Sequence, residues 1–262
     1  SEEKDICQFD VIVANPPYSV SAFKNTLKNG EKSFNLYNRL TDTSSEIECL
    51  FIERTKQLLK EGGCAGVVLP SSVLSNGGIY TDYREILLKY FEIIGIAELG
   101  SNTFMATGTN TVTLFLKKRD NSHWLRVQDS INEFFKTFKD ITTNGIEKAY
   151  SKYLENVYEK INFNDYLYLL NAGIIGDSNK EVEEILEDYK KFFETTNVYK
   201  NLIQTKDYKN AMSEDQLKFV QEALKIFIQD REKEKLLYFM LSYNKQVVLL
   251  KSGDKQIEKS FL

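Results

Sequence analysis

The sequence predicts an α/β fold: an open, mostly parallel sheet followed by a mainly helical region. Two observations predict it. Up to about residue 120, short runs rich in Val and Ile alternate with stretches of helical periodicity. Beyond Arg119, glycines thin out, prolines vanish, and helical patterns rich in Lys, Glu, Tyr and Leu take over. A domain boundary is therefore expected near residue 120, separating residues 1–119 from residues 120–262.

The elements follow in order. FDVIVA, Phe9–Ala14, is a continuous apolar run, expected as a strand buried on both faces. Ser45-x-x-Glu48 reads as a capping box. It opens a helix carrying Ile47, Leu50, Phe51, Leu58 and Leu59, closed by Gly62-Gly63. CAGVVLP, ending at Pro70, is a second buried strand. A helix over residues 80–90 follows, then FEIIGIAEL and TVTLFLKK as two further strands. In the second half, Ser213-x-x-Gln216 reads as another capping box, at the head of a long helix through QLKFVQEALKIFIQDREKEKLLYFML. QVVLLK is strand-like, and a polar tail ends the chain.

Composition narrows the function. With 262 residues, 42% of them hydrophobic, the chain can bury one large core or a medium domain and a smaller one. No apolar run approaches the roughly 18 residues of a membrane span, and no secretory signal opens the sequence, so a cytoplasmic protein is expected. The chain does not begin with Met and reaches a strand within ten residues, which suggests part of a longer protein. Cys7, Cys49 and Cys64 lie far apart without CxxC spacing, and His123 is the single histidine, too few ligands for a Cys/His metal site. The cysteines read as reduced thiols in or near the core, and His123 as structural or surface. Net charge is −4, with neither half basic, so any nucleic-acid substrate would be gripped mostly by something else.

All three prolines fall at expected strand ends: Pro16 and Pro17 after the first, Pro70 after the second. Ligands of open α/β sheets bind at the carboxyl ends of parallel strands. Proline fixes its own φ and holds the preceding residue extended. Asn15-Pro16-Pro17 is therefore a stiff loop presenting two acceptors, the Asn15 side-chain carbonyl and the Pro16 backbone carbonyl, with Tyr18 thrown out from its end. Two fixed acceptors suit an NH₂ group, and Tyr18 offers a face on which a ring bearing that group can stack. Accepting both hydrogens favours a tetrahedral nitrogen whose lone pair is free to attack, with no strong general base required.

Asn15-Pro16-Pro17-Tyr18 after FDVIVA resembles the catalytic motif of S-adenosylmethionine-dependent N6-adenine DNA methyltransferases. LYNRL, FIERTKQLLKEGGCAGVVLPSSVLSNGGIYTDYREILL, TGTNTVTLFLKK and EKEKLLYFMLSYNKQVVLLKSGDK together resemble the methylation subunit of type I restriction–modification systems. The resemblance implies the latter strands of a Rossmann-like methyltransferase sheet in residues 1–119. It also implies methyl transfer from S-adenosyl-L-methionine to a flipped adenine in double-stranded DNA. Asn15, Pro16, Pro17 and Tyr18 would be catalytic, with Asn15 also touching the cofactor. Tyr18 and Phe104, in the loop between the last two strands, would sandwich the base. Phe104 reads equally well as a hydrophobic plug under its loop. The lysine- and aromatic-bearing segment SAFKNTLKNGEKSFNLYNRL is expected as a solvated, mobile loop that could touch phosphates.

The resemblance further implies a DNA-specificity subunit and possibly a restriction (nuclease) subunit as partners, with residues 120–262 available for subunit or DNA contact. The family's cofactor site, a strand, a Gly-rich turn and an acid, normally precedes the motif and is not found before Phe9. It is therefore expected upstream, leaving this chain inactive alone. The one downstream candidate, Gly173, Gly176 and Asp177, reads better as a helix ended by a glycine cap. Two rivals stand beside this reading: methylation of a protein glutamine amide, for which the same motif serves, and a non-catalytic module docking a specificity subunit.

Overall fold

The computed structural model describes residues 7–99, 110–176, 178–243, 246–251 and 258–261. Strand β1 (Phe9–Ala14) leads through a short 3-10 turn to the single turn α1 (Gly30–Ser33) and a second 3-10 turn at Asn35–Arg39. Helix α2 (Glu48–Leu58), β2 (Leu59–Pro70), α3 (Ile79–Tyr90), β3 (Phe91–Leu99) and β4 (Thr111–Lys118) follow. Next come α4 (His123–Thr137), α5 (Ala149–Val157), α6 (Phe163–Leu170) and α7 (Lys180–Thr195). The chain continues through α8 (Asn197–Leu202), α9 (Lys206–Asn210) and α10 (Ser213–Ser242) to β5 (Gln246–Lys251) and β6 (Glu258–Phe261). Two compact units result, residues 1–124 with 242–262, and residues 125–241.

The first unit is an α/β sheet of six strands in the order β1-β2-β4-β3-β5-β6. The β1–β2 and β3–β5 pairs are parallel, but β2–β4, β3–β4 and β5–β6 are antiparallel. The sheet is thus mixed rather than mostly parallel, because β4 inserts between β2 and β3 instead of extending the row. The polar tail also differs from expectation, since part of it forms β6.

β1 is a sheet edge. Phe9, Val11 and Val13 are 47%, 64% and 84% exposed, while Ile12 and Ala14 pack against the core. The expected burial on both faces therefore fails. The core lies on one face of the sheet, where Ala65, Val67 and Leu69 of β2 and Val112, Leu114 and Leu116 of β4 meet Leu50 and Ile52 of α2 and Tyr83 and Leu87 of α3. The stretch Val11–Ala14, apolar at every position, looks identical whether one face or both are covered.

Neither predicted capping box forms. Helix α2 starts at Glu48 with Ile47 at its N-cap and no side-chain cap. The Ser45 amide is bonded by the Glu46 carboxylate instead. α10 starts at Ser213 with the Met212 carbonyl accepting its first amides, and the Gln216 side chain donates to the Tyr208 carbonyl. A capping box does form, at Asn162 and Asp165, the N-terminus of α6. Gly62-Gly63 does not close α2 either. β2 begins directly at Leu59, and the ammonium of buried Lys118 caps the helix by donating to the Lys56 and Leu59 carbonyls at 2.6 and 2.8 Å. Gly63 lies inside β2, where a Cβ would come within 2.9 Å of the Asp10 carbonyl, so the close approach of β1 requires glycine.

The second unit is helical. Its core includes Ile131, Phe134, Tyr150, Leu169, Leu186, Ile228 and Leu236, with the Phe134 and Tyr150 rings stacked at 3.5 Å. At its centre the Glu232 carboxylate of α10, 0% exposed, accepts from four phenols. Tyr153 of α5 (2.8 Å) and Tyr166 of α6 (3.0 Å) donate to Oε2. Tyr158, just past α5 (2.6 Å), and Tyr189 of α7 donate to Oε1, as does Lys235 at 3.0 Å. Burial first and Glu232 second push all four phenols far above their ordinary range, so they remain donors. Removing the acceptor strands several buried hydroxyls. Glu232→Ala is expected to cost at least ~3 kcal/mol in urea unfolding followed by circular dichroism. Glu232→Gln, which keeps one acceptor oxygen, should cost less. A loss below ~1 kcal/mol in the alanine variant would show that the phenols find other partners.

Candidate active site

β1 and β2 run parallel with Ala14 opposite Val67, so both strands end at the same edge of the sheet. Asn15-Pro16-Pro17-Tyr18 leaves the end of β1, and Pro70 closes β2. The three prolines thus meet at one edge, where ligands of such sheets bind. Pro16 is buried, Asn15 and Pro17 are exposed, and Tyr18 is half-buried.

The Tyr18 ring is not thrown clear of the loop. Its hydroxyl donates to Asn15 Oδ1 at 2.6 Å, and lies 3.3 Å from the Val68 carbonyl on the neighbouring strand. The phenol thereby occupies one of the two lone pairs of the Asn15 carboxamide oxygen and ties the loop to the end of β2. Burial, and secondarily Glu48, push the Tyr18 phenol above its ordinary range, which keeps it a donor. Ser19, the next residue, turns the chain with φ +51°.

The segment between β1 and α2 is folded down by α2 rather than being a loose loop. Glu53, 3% exposed, accepts from the amides of Asn35 (2.5 Å) and Leu36 (3.1 Å). Gln57 Nε2 donates to the Ser33 carbonyl. Glu48, 1% exposed, takes the Tyr80 hydroxyl at 2.7 Å and the Ser19 amide at 3.4 Å. Arg39 pairs with Asp82 of α3 at 2.6 Å, and Lys24 donates to the Leu40 carbonyl. Phe23, Leu36 and Leu40 are buried under the segment. Gly30 is dictated by contact, since a Cβ there would stand 2.2 Å from the Tyr37 ring. Lys28 and Lys32 remain on the surface.

Of the predicted site residues, the structure brings Asn15, Pro16, Pro17 and Tyr18 together at the strand ends. Phe104 lies outside the described residues, as does Asp177. Gly173, at φ +80°, donates its amide to the Tyr168 carbonyl and so ends α6, leaving no glycine-rich turn after a strand there. Cys49 is buried and Cys64 exposed, so the latter is not a core thiol. His123 opens α4. The sequence reading gave Glu48 only a capping role and gave Glu53 and Tyr80 no part in the site. The available signal was a pair of carboxylates among the apolar residues of one short helix, where burial demands partners. The described residues at the strand ends furnish acceptors for an amine but no lining for a nucleoside. No described helix is long and apolar enough to cross a membrane.

The site's packing carries a pH signature. Burial pushes the Glu53 carboxyl above its ordinary range, against the pull of the Asn35 and Leu36 amides and, more weakly, Lys56 and Arg54. A carboxyl that holds its proton more tightly folded than unfolded adds stability below the unfolded pKa and loses it as pH rises through the folded value. Stability should therefore carry a falling component from the ordinary Glu pKa of ~4.3 upward. Glu53→Gln should flatten it in urea unfolding across that window, and an unchanged slope would assign the effect elsewhere.

The N-6 DNA Methylase family model matches residues 1–172. The methylase subunit of the type I restriction enzyme MpnII from Mycoplasma pneumoniae is 29% identical over 195 residues, 68% of this chain and 35% of that protein. The type II restriction enzyme and methyltransferase RM.Eco57I from Escherichia coli is 35% identical over 129 residues, 47% of this chain and 12% of that one. The chain thus spans about a third or less of the length of these relatives. Among solved structures, the type I methyltransferase subunit from Streptococcus thermophilus overlaps 53% of this chain and 34% of its own. Its TM-score is 0.37 and its identity 22%, a partial overlap.

Proposed function

Because the chain belongs to the N-6 DNA Methylase family, we propose that Asn15-Pro16-Pro17-Tyr18 is the amine-accepting loop of an adenine-N6 DNA methyltransferase subunit of a restriction–modification system. The observation that carries this is the placement of the Asn15 carboxamide and the Tyr18 ring at the joined ends of β1 and β2. S-Adenosyl-L-methionine supplies an electrophilic methyl group in this chemistry, and Asn15 is the described residue nearest to that role.

The chain's own residues do the following. The Asn15 side-chain carbonyl and the Pro16 backbone carbonyl accept the two N6 hydrogens of a flipped adenine. Held this way, the amine nitrogen is drawn toward tetrahedral geometry and its lone pair leaves conjugation with the ring. Its surplus proton departs once the nitrogen has become cationic, so a neutral carboxamide suffices. The Tyr18 face stacks on the base, contributing about 1–3 kcal/mol against a flipping cost of a few kcal/mol. Phe104 is proposed as a second stacking partner. Residues 1–119 would form the latter part of the catalytic domain and residues 120–262 a subunit- or DNA-contacting region. Double-stranded DNA, a DNA-specificity subunit and a restriction (nuclease) subunit are the proposed partners.

The test is methyl incorporation into adenine-containing DNA by the full-length subunit assembled with its specificity subunit. Asn15→Ala should abolish it, and full activity in that variant would sink the mechanism. Tyr18→Ala should lower kcat/KM roughly 5- to 150-fold, the stacking energy expressed as a rate. Tyr18→Phe separates ring from hydroxyl. It keeps the stacking face and frees Asn15 Oδ1, so it should hold activity near the wild-type level. A loss as large as that of the alanine variant would make the hydroxyl the essential group.

A further inference from the structure

Glu48 is a buried carboxylate that the methyl-transfer reading leaves unused. It stands in the first turn of α2, where the helix dipole favours negative charge, yet its oxygens bond groups outside its own helix. Oε1 accepts the Tyr80 hydroxyl from the first turn of α3 at 2.7 Å. Oε2 accepts the Ser19 amide at 3.4 Å, and Ser19 directly follows the Asn15–Tyr18 motif. The Ser19 φ of +51° is left-handed, a conformation costing an L residue roughly 1–2 kcal/mol. A strained turn of this kind persists only where its surroundings hold it. Glu48 also raises the Tyr18 phenol, after burial, which places its field on the stacking residue.

We propose that Glu48 is a positioning residue for the amine-accepting loop, pinning the left-handed turn at Ser19 so that Tyr18 stays beside Asn15, its hydroxyl on Oδ1. Tyr80 is its aiming partner. The positioning role rests on the reading of this loop as the base-binding loop. Without the carboxylate, Ser19 relaxes toward ordinary backbone and Tyr18 loses its fixed direction. The consequence falls on orientation of the base, hence on kcat, and not on capture of the methyl donor. An orientation error of about 1 Å can cost as much as ~100-fold.

Two measurements on wild type, Glu48→Gln, Glu48→Ala and Tyr80→Phe test it. The first is amide hydrogen exchange of the 262-residue chain. Exchange across residues 15–20 should quicken about tenfold in both Glu48 variants and less in Tyr80→Phe. In Glu48→Gln and Tyr80→Phe, exchange in β3 and the melting midpoint should stay near wild type, a local pattern that a general packing role would not give. The second is methyl transfer by the assembled enzyme, where the Glu48 variants should lose at least ~10-fold in kcat with KM for S-adenosylmethionine unchanged. Unchanged exchange over residues 15–20 in Glu48→Gln and Tyr80→Phe overturns the positioning role, whatever happens to activity. A wild-type enzyme that methylates no adenine overturns the reading of the loop instead, and the exchange data still decide whether Glu48 holds it. Should Glu48→Ala not fold, the two conservative variants give the answer.

Discussion

Parallel pairing of β1 on β2 is the constraint from which the rest follows. Parallel strands deliver their carboxyl ends to one edge, and the Ala14–Val67 register brings the two proline-bearing exits side by side. Pro16 and Pro17 have no amide to offer a ladder, so strand pairing stops where the loop must start. The Tyr18 hydroxyl then spans from Asn15 on one exit to Val68 on the other, so the loop is referenced to both strands. A loop hung from a single strand would lack the second reference.

Helix α2 supplies the third reference. Glu48, Glu53 and Gln57 place polar groups against the segment that connects β1 to α2. Buried carboxylates are costly unless their lone pairs are filled, and here backbone amides fill them. The same hydrogen bonds that make Glu53 tolerable hold the connecting segment down, so stability and site geometry share their residues. The helical unit uses the device in another form. There Glu232 gathers tyrosines from three neighbouring helical segments around one carboxylate, and phenols serve where amides do at α2.

Much of the α/β half was legible in the sequence. FEIIGIAEL and TVTLFLKK coincide with β3 and β4, and the long helix was seen from its head at Ser213. Periodicity records which residues want burial, and these elements are decided by burial. What it does not record is which neighbour a strand takes. The insertion of β4 between β2 and β3, the edge position of β1 and the pairing of β6 are therefore tertiary outcomes. Capping failed for a related reason. Ser45 and Glu48 have the spacing of a cap, but Glu48 has better-placed donors in Tyr80 and Ser19, and long-range bonds win over the local pattern. At the site, the Asn-Pro-Pro-Tyr string and its strand context were plain to read. Its supports were not, because Glu48 and Tyr80 become neighbours only when α2 and α3 pack side by side.

If the loop receives a base as proposed, the hydrogen bond between Tyr18 and Asn15 sets the terms on which that base enters. The phenol offers one hydrogen to Asn15 Oδ1, whereas an exocyclic amine offers two, one to Asn15 and one to the Pro16 carbonyl. Where the amine displaces the phenol rather than taking the second lone pair of Oδ1, the exchange trades one neutral hydrogen bond, about 1 kcal/mol net, for two of the same kind. The ring that gives up its hydroxyl bond is the ring that gains the stacking contact, so the displaced group is compensated at once. An aromatic ring without an amine gains the stack but leaves Asn15 bonded to the phenol, and a free amine without a ring gains the acceptors but not the face. On the proposed reading of the loop, selectivity for an amine borne on a flat ring would arise from competition within the loop itself. The stiffness of Pro16-Pro17 sharpens this competition, because a floppy loop would satisfy a lone amine or a lone ring equally well.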